Sequence, residues 1–154
     1  MSVPQPKFVS MDELAPTLLD ILASGGSVEL MTTGSSMRPM LFDKESVVRL
    51  TAPNVIRRGD VALYRYPNGK FALHRIAKVM PDTLTCRGDN LIFEEPDIRR
   101  DWILAVVSDF TYHGKWVSCR NRCYRFYTAC CLFFWPWRRT YFTLRHKLAR
   151  ILRK

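Results

Sequence analysis

Apolar residues at helical spacing mark both ends of this chain, and short β-type runs fill its middle. Over residues 11–23, Leu14, Leu18, Leu19 and Leu22 recur every three or four positions and predict a short helix. Ser10 stands at its start with Glu13 three residues on, the spacing of a capping box. Pro16 falls in the first turns, where a missing N–H costs little, and Ser24-Gly25-Gly26 ends the segment. From there to Phe110, β-type runs alternate with turn residues, over 27–32, 46–50, 61–66, 71–79, 83–87 and 103–110. Pro67-Asn68-Gly69 reads as a hairpin turn between two of them. Residues 111–118 look like one more strand. In the tail, Leu144, Leu148, Ile151 and Leu152 share one helical face, with Arg145, Lys147, Arg150, Arg153 and Lys154 around them. That is a basic amphipathic helix. The expected architecture is mainly β: an N-terminal helix (1–26), a small, strongly coiled β domain (27–118) and a basic, aromatic helical tail (119–154).

Composition supports one domain with an appendage. The chain has 154 residues, and its hydrophobic fraction of 47% suffices for a packed core. Charge changes the picture more. Residues 1–109 carry 13 Lys/Arg and 14 Asp/Glu, a net −1, whereas residues 110–154 carry 11 Lys/Arg and no acid, a net +11. A half-chain this basic calls for an anionic partner. Aromatics interleave with the cations, among them Trp116, Tyr124, Phe126, Tyr127, Phe133, Phe134, Trp135, Trp137, Tyr141 and Phe142. An anionic membrane surface and nucleic acid could each use both, and the clustering of apolar positions on one helical face puts the membrane first and nucleic acid second.

Met1 to Ser10 lacks the basic and apolar regions of a signal peptide. No stretch reaches the roughly 18 uninterrupted apolar residues of a spanning helix. The longest candidate, residues 128–135, is too short and meets Pro136. A cytoplasmic protein, peripheral at the inner face of the membrane, is the expectation. The five cysteines, Cys86, Cys119, Cys123, Cys130 and Cys131, are an odd number and form no secreted disulfide framework. Cys119 and Cys123 lack histidines at zinc spacing, so no metal or cofactor is expected.

The candidate chemistry starts at Thr33-Gly34-Ser35-Ser36-Met37-Arg38-Pro39-Met40. A β-rich run delivers Ser36 to a turn, where it can be either a capping serine or a nucleophile. A serine hydroxyl needs a base, and His74 in Ala72-Leu73-His74-Arg75-Ile76 is one of three histidines. It could take the Ser36 proton and return it to the leaving amine. An acid would then fix the imidazole, and Asp89, Glu94, Glu95 and Asp97 lie just downstream. The Ser36 N–H is a candidate oxyanion donor. Ser35, Met37 and Pro39 would shape the turn and the substrate cleft.

Three blocks in order resemble the signal peptidase I and LexA-type serine peptidase superfamily: Gly34-Ser35-Ser36-Met37-Arg38-Pro39; Arg58-Gly59-Asp60-Val61-Ala62-Leu63-Tyr64 leading to Leu73-His74-Arg75-Ile76; and Arg87-Gly88-Asp89-Asn90. They cover roughly residues 28–110. Histidine at the base position is similar to the endoplasmic-reticulum and archaeal-type signal peptidases, where bacterial leader peptidases carry lysine. The resemblance implies Ser36 as nucleophile and His74 as general base. It also implies an orienting acid six positions after Asp89, which is Glu95; Asp89 itself is the second choice. Some leader peptidases place an oxyanion hydroxyl two residues before the nucleophile. Here that residue is Gly34, which leaves Ser35 or Thr33 to serve.

The N-terminal membrane anchor of signal peptidases has no counterpart in residues 1–26, so a leader or propeptide on the cytoplasmic side is the expected substrate. A non-catalytic peptide-binding or membrane-surface module is the alternative from another class. A LexA-like self-cleaving regulator is a third, although no helix-turn-helix precedes the β-type runs.

Overall fold

The structure, a computed structural model, describes residues 10–151, and the side chains of all of these but 142, 143 and 145–151. Helix α1 spans Met11–Ala23 and buries Ala15, Leu18 and Leu22, while Leu19 stays exposed. Ser10 caps it through its backbone. Its carbonyl accepts the N–H groups of Glu13 and Leu14, and its hydroxyl makes no capping bond.

Eight strands follow: β1 (Val28–Met31), β2 (Val47–Thr51), β3 (Val61–Arg65), β4 (Phe71–Val79), β5 (Thr83–Arg87), β6 (Glu95–Arg99), β7 (Ile103–Tyr112) and β8 (Lys115–Ser118). They form one antiparallel sheet in the order β1-β2-β7-β3-β4-β5-β6, with β8 on β7. The fold is therefore mainly β, as the sequence predicts. Register shifts interrupt the β2–β7, β3–β7, β4–β5 and β5–β6 pairings. Bulges of this kind bend strands and increase twist, so both faces of the sheet are covered. One core gathers Leu18, Leu22, Met37, Met40, Leu63 and Phe110; the other gathers Tyr64, Ile76, Leu84, Cys86, Ile98 and Ile103. Burying each large side chain contributes about 1.5–3 kcal/mol.

Two elements differ from expectation. Residues 111–118 are the end of a hairpin rather than one strand. Thr111 and Tyr112 finish β7, and His113 and Gly114 turn the chain at φ 48° and 75°, the left-handed pair that a two-residue hairpin needs. Strand β6 has no alternating signal, because Glu95-Pro96-Asp97-Ile98-Arg99 buries only Ile98. It stands at the sheet edge, where a proline is tolerated.

The expected helical tail is helix α2, which runs over Arg122–Ile151, straight through Pro136. A mid-helix proline costs about 3 kcal/mol, and bonds on either side of it hold the helix together. The Trp135 indole N–H donates to the Leu91 carbonyl, and Arg138 donates to the Asp89 carbonyl and the Asn90 side chain. Of the predicted amphipathic face, Leu152, Arg153 and Lys154 lie outside the described residues, as do the side chains of Arg145, Lys147, Leu148, Arg150 and Ile151. Among the described residues, no helix is long and apolar enough to cross a membrane, and no group of His, Cys, Asp and Glu could hold a metal ion.

Candidate active site

Strand pairing decides which side chains meet. Residues opposite one another across a ladder share a face, and successive residues of a strand alternate faces. The registers Ala62↔His74, Ile76↔Cys86 and Cys86↔Glu95 therefore place His74 and Glu95 on one face of β3–β4–β5–β6. Tyr64, two residues on from Ala62, joins them. Arg75 faces the other way.

The result is a chain of contacts. Ser36 Oγ lies 3.2 Å from His74 Nε2. On the far side of the ring, His74 Nδ1 is 3.3 Å from Glu95 Oε1 and 3.1 Å from Tyr64 Oη. The hydroxyls of Tyr64 and Tyr66 both donate to Glu95 Oε2. With the Tyr64 proton committed to the carboxylate, its oxygen can only accept from the ring. Both neighbours of Nδ1 are thus acceptors, which favours the tautomer protonated at Nδ1 and leaves the Nε2 lone pair toward Ser36. Burial pushes the Glu95 carboxyl up, but hydrogen bonds from His74, Tyr64 and Tyr66 outweigh it and bring the group down to about 2. Burial and the bond to Glu95 push Tyr66 up to about 12 and Tyr64 higher still, so both remain donors.

Ser36 reaches this face from the turn after β1. Thr32 is tied to Ser46 and Lys44 through backbone bonds, and the Gly34 N–H donates to Asp43 Oδ1 at 2.7 Å. Gly34 has φ 91°, a conformation that a side chain would strain, so a hydroxyl-bearing residue is disfavoured there. Beyond Ser36, Met37, Met40 and Leu41 are buried in the first core and anchor the turn from below. The Gly88-Asp89-Asn90 segment holds it from the side. The Asn90 N–H donates to the Ser36 carbonyl at 2.7 Å, and its side-chain amide donates to the Ser35 carbonyl at 3.2 Å. Gly88 permits this approach, since a Cβ there would stand 2.5 Å from the Ser36 carbonyl oxygen.

Asp89 does not join the imidazole. Its two oxygens take Arg75 Nε at 2.7 Å and Nη2 at 2.6 Å, and Tyr127 adds its hydroxyl at 2.9 Å. The pair is fully buried. Arg75 also donates to the Gly59 carbonyl and to Tyr124 and Thr128 of α2. Burial lowers the guanidinium pKa, but Asp89 more than compensates and holds it well above its usual value. This network fixes α2 to the sheet and stiffens the segment beside Ser36.

An open cleft runs over Ser36 and His74, between Thr32 to Gly34 on one side and Phe71 to Leu73 on the other. Met37 lines it from the core, whereas Ser35 and Pro39 are exposed and stand outside its lining. Thr33 lines it too. Among the described residues, strand β1 pairs only with β2, and the 71–74 end of β4 has no strand on its β5 side, because β4–β5 pairing starts at Arg75. The cleft is therefore flanked by two backbone edges. Sequence reasoning missed Tyr64 and Tyr66; their spacing of two in a predicted strand, which sets both hydroxyls on one face, is the signal that could have found them.

No protein-family model matches this chain, and no curated protein matches it in sequence.

Proposed function

We propose that this chain is a serine endopeptidase in which Ser36 is the nucleophile, His74 the general base and Glu95 the orienting acid. The observation that carries the reading is the continuous line from Ser36 Oγ through both nitrogens of His74 to Glu95, with gaps of 3.2 and 3.3 Å. Those are the roles and the order of a serine triad. In this reading the Ser36 oxygen attacks the scissile carbonyl while its proton passes to His74 Nε2. Glu95, whose carboxyl is brought down to about 2 and is therefore ionised at neutral pH, stabilises the imidazolium that forms. The Ser36 N–H donates to the oxyanion. The amine then leaves with the proton from His74, and water, activated by the same base, releases the acyl group.

The substrate lies extended in the cleft. The two free backbone edges beside it suit main-chain hydrogen bonding to a peptide, as in strand addition. The three sequence blocks that resemble the signal peptidase and LexA-type superfamily converge here. The Ser36 turn touches Gly88-Asp89-Asn90, and His74 lies between Ser36 and Glu95. The coiled sheet agrees with a signal-peptidase-like or LexA-like fold. All five cysteines are free, which suits a reducing compartment, so a cytoplasmic leader or propeptide is the substrate class in this reading.

The test uses an active-site phosphonylating probe on the purified protein. Labelling of wild type at Ser36, with none on Ser36→Ala and strongly reduced labelling on His74→Ala, is expected. Equal labelling of Ser36→Ala and wild type would remove Ser36 as nucleophile.

A further inference from the structure

Helix α2 is apolar on two opposite faces, and the sheet accounts for only one. Tyr124, Tyr127, Thr128, Trp135 and Arg138 turn toward the sheet and the 87–91 segment, through the bonds to Asp89, Leu91 and Arg75 described above. At about 100° per residue, Phe126, Phe133, Trp137 and Leu144 fall within an arc of about 40° on the opposite side. Phe126, Phe133 and Trp137 are 73%, 69% and 74% exposed, and Leu144 is exposed as well. Tyr141, also exposed, borders the stripe. From Phe126 to Leu144 it is about 27 Å long. Exposed aromatic surface on this scale marks a contact with something else.

The charge pattern selects the occupant. Residues 110–154 hold 11 Lys/Arg and no acid, and Arg122 and Arg125 are exposed on the flank of the stripe. A second copy laid along the same stripe would bring cations against cations. An anionic bilayer supplies the opposite charge to the flanks and an acyl boundary to the stripe. Trp137 and Tyr141 suit the headgroup level, where aromatic bodies and polar tips are both satisfied. The helix is not apolar enough to cross, so it would lie in the surface.

We infer that the outer face of α2, from Phe126 to Leu144, docks this protein flat on an anionic lipid surface. The inner face stays on the sheet meanwhile. Because Arg138 and Trp135 grip the 89–91 segment that bonds the Ser36 turn, the docked helix fixes the orientation of the cleft to the membrane. The site is independent of the peptidase chemistry.

The experiment is vesicle flotation of the full chain with phosphatidylglycerol–phosphatidylcholine vesicles and with phosphatidylcholine alone. Binding to the anionic vesicles, weakened by salt, is expected. Phe133→Ser/Trp137→Ser should lower that binding about tenfold or more. Arg122→Gln/Arg125→Gln should lower it less and reduce its salt dependence, and Ser36→Ala should bind as wild type does. Both replaced sets are exposed, and unchanged circular dichroism and melting will verify their folds. Failure of wild type to float with anionic vesicles overturns the inference, as does wild-type binding by the Phe133/Trp137 variant. So does stripe-dependent dimerisation, or tight binding of a single-stranded oligonucleotide through the stripe, with no vesicle binding.

Discussion

His74 and Arg75 are adjacent in β4 but work on opposite faces of the sheet. His74 turns toward Glu95 and the two tyrosines; Arg75 turns toward Asp89 and α2. This alternation separates the two candidate acids by role. Glu95 can orient the base, and Asp89 holds the scaffold beneath the nucleophile.

Replacing each acid by its amide should therefore give different phenotypes. Glu95→Gln should keep the fold near neutral pH and lower kcat by roughly 10³–10⁴-fold, since the imidazole loses its tautomer and its counter-charge. Glu95→Asp should recover part of that loss. Asp89→Asn leaves the buried Arg75 without a carboxylate, a change on the order of 3–5 kcal/mol, and should show first as a drop in melting temperature. Steady-state kinetics beside thermal melts separate the two. Equal kcat losses with unchanged melting in both variants would contradict the division of labour.

Gly88 sets a second prediction. Its Cα approaches the Ser36 carbonyl so closely that an added Cβ would sit 2.5 Å from the oxygen and 2.9 Å from the Leu91 side chain. The turn must move, and the Asn90 N–H bond to the same carbonyl moves with it. Displacing a nucleophile by about 1 Å can cost 10²-fold in rate, against about 1–3 kcal/mol in stability. Gly88→Ala should therefore be folded at room temperature but about a hundredfold slower. Its kcat, measured well below its melting point, checks this; a wild-type value would mean that the 88–90 segment does not position Ser36.

The helix, the β-type runs and the pairing of Ser36 with His74 were legible in the sequence, because periodicity and ordered blocks are local signals. The order of the two acids, Glu95 before Asp89, came only from the resemblance; the geometry behind it was not legible. It depends on the registers of β4 with β5 and of β5 with β6, which no short window contains. The strand that carries Glu95 was hidden for a related reason: with Pro96 and a single buried residue, Ile98, it is held by pairing with β5 rather than by its own pattern. Helix α2 continues through Pro136 for a reason of the same kind: contacts from Trp135 and Arg138 to a distant segment sustain it there.

The carboxylate clamp predicts how the protein meets acid. Glu95 has an ordinary carboxyl pKa of 4.5 and is brought down to about 2 in the fold. A carboxyl depressed by folding adds stability that is present above its unfolded pKa and is lost as pH falls toward the folded one. Its contribution should thus be complete above about pH 4.5 and disappear between there and about pH 2. Comparing wild type with Glu95→Gln isolates it, because the other acids titrate alike in both proteins. Their melting temperatures should converge as pH falls through that window. Tyr64→Phe/Tyr66→Phe removes two of the donors that hold the carboxylate, so its carboxyl should protonate at higher pH and its acid-unfolding midpoint should rise. The readout is the acid-unfolding midpoint of all three proteins by circular dichroism. A gap between wild type and Glu95→Gln that stays constant through the window would show that the tyrosine hydroxyls and His74 do not stabilise the ionised form.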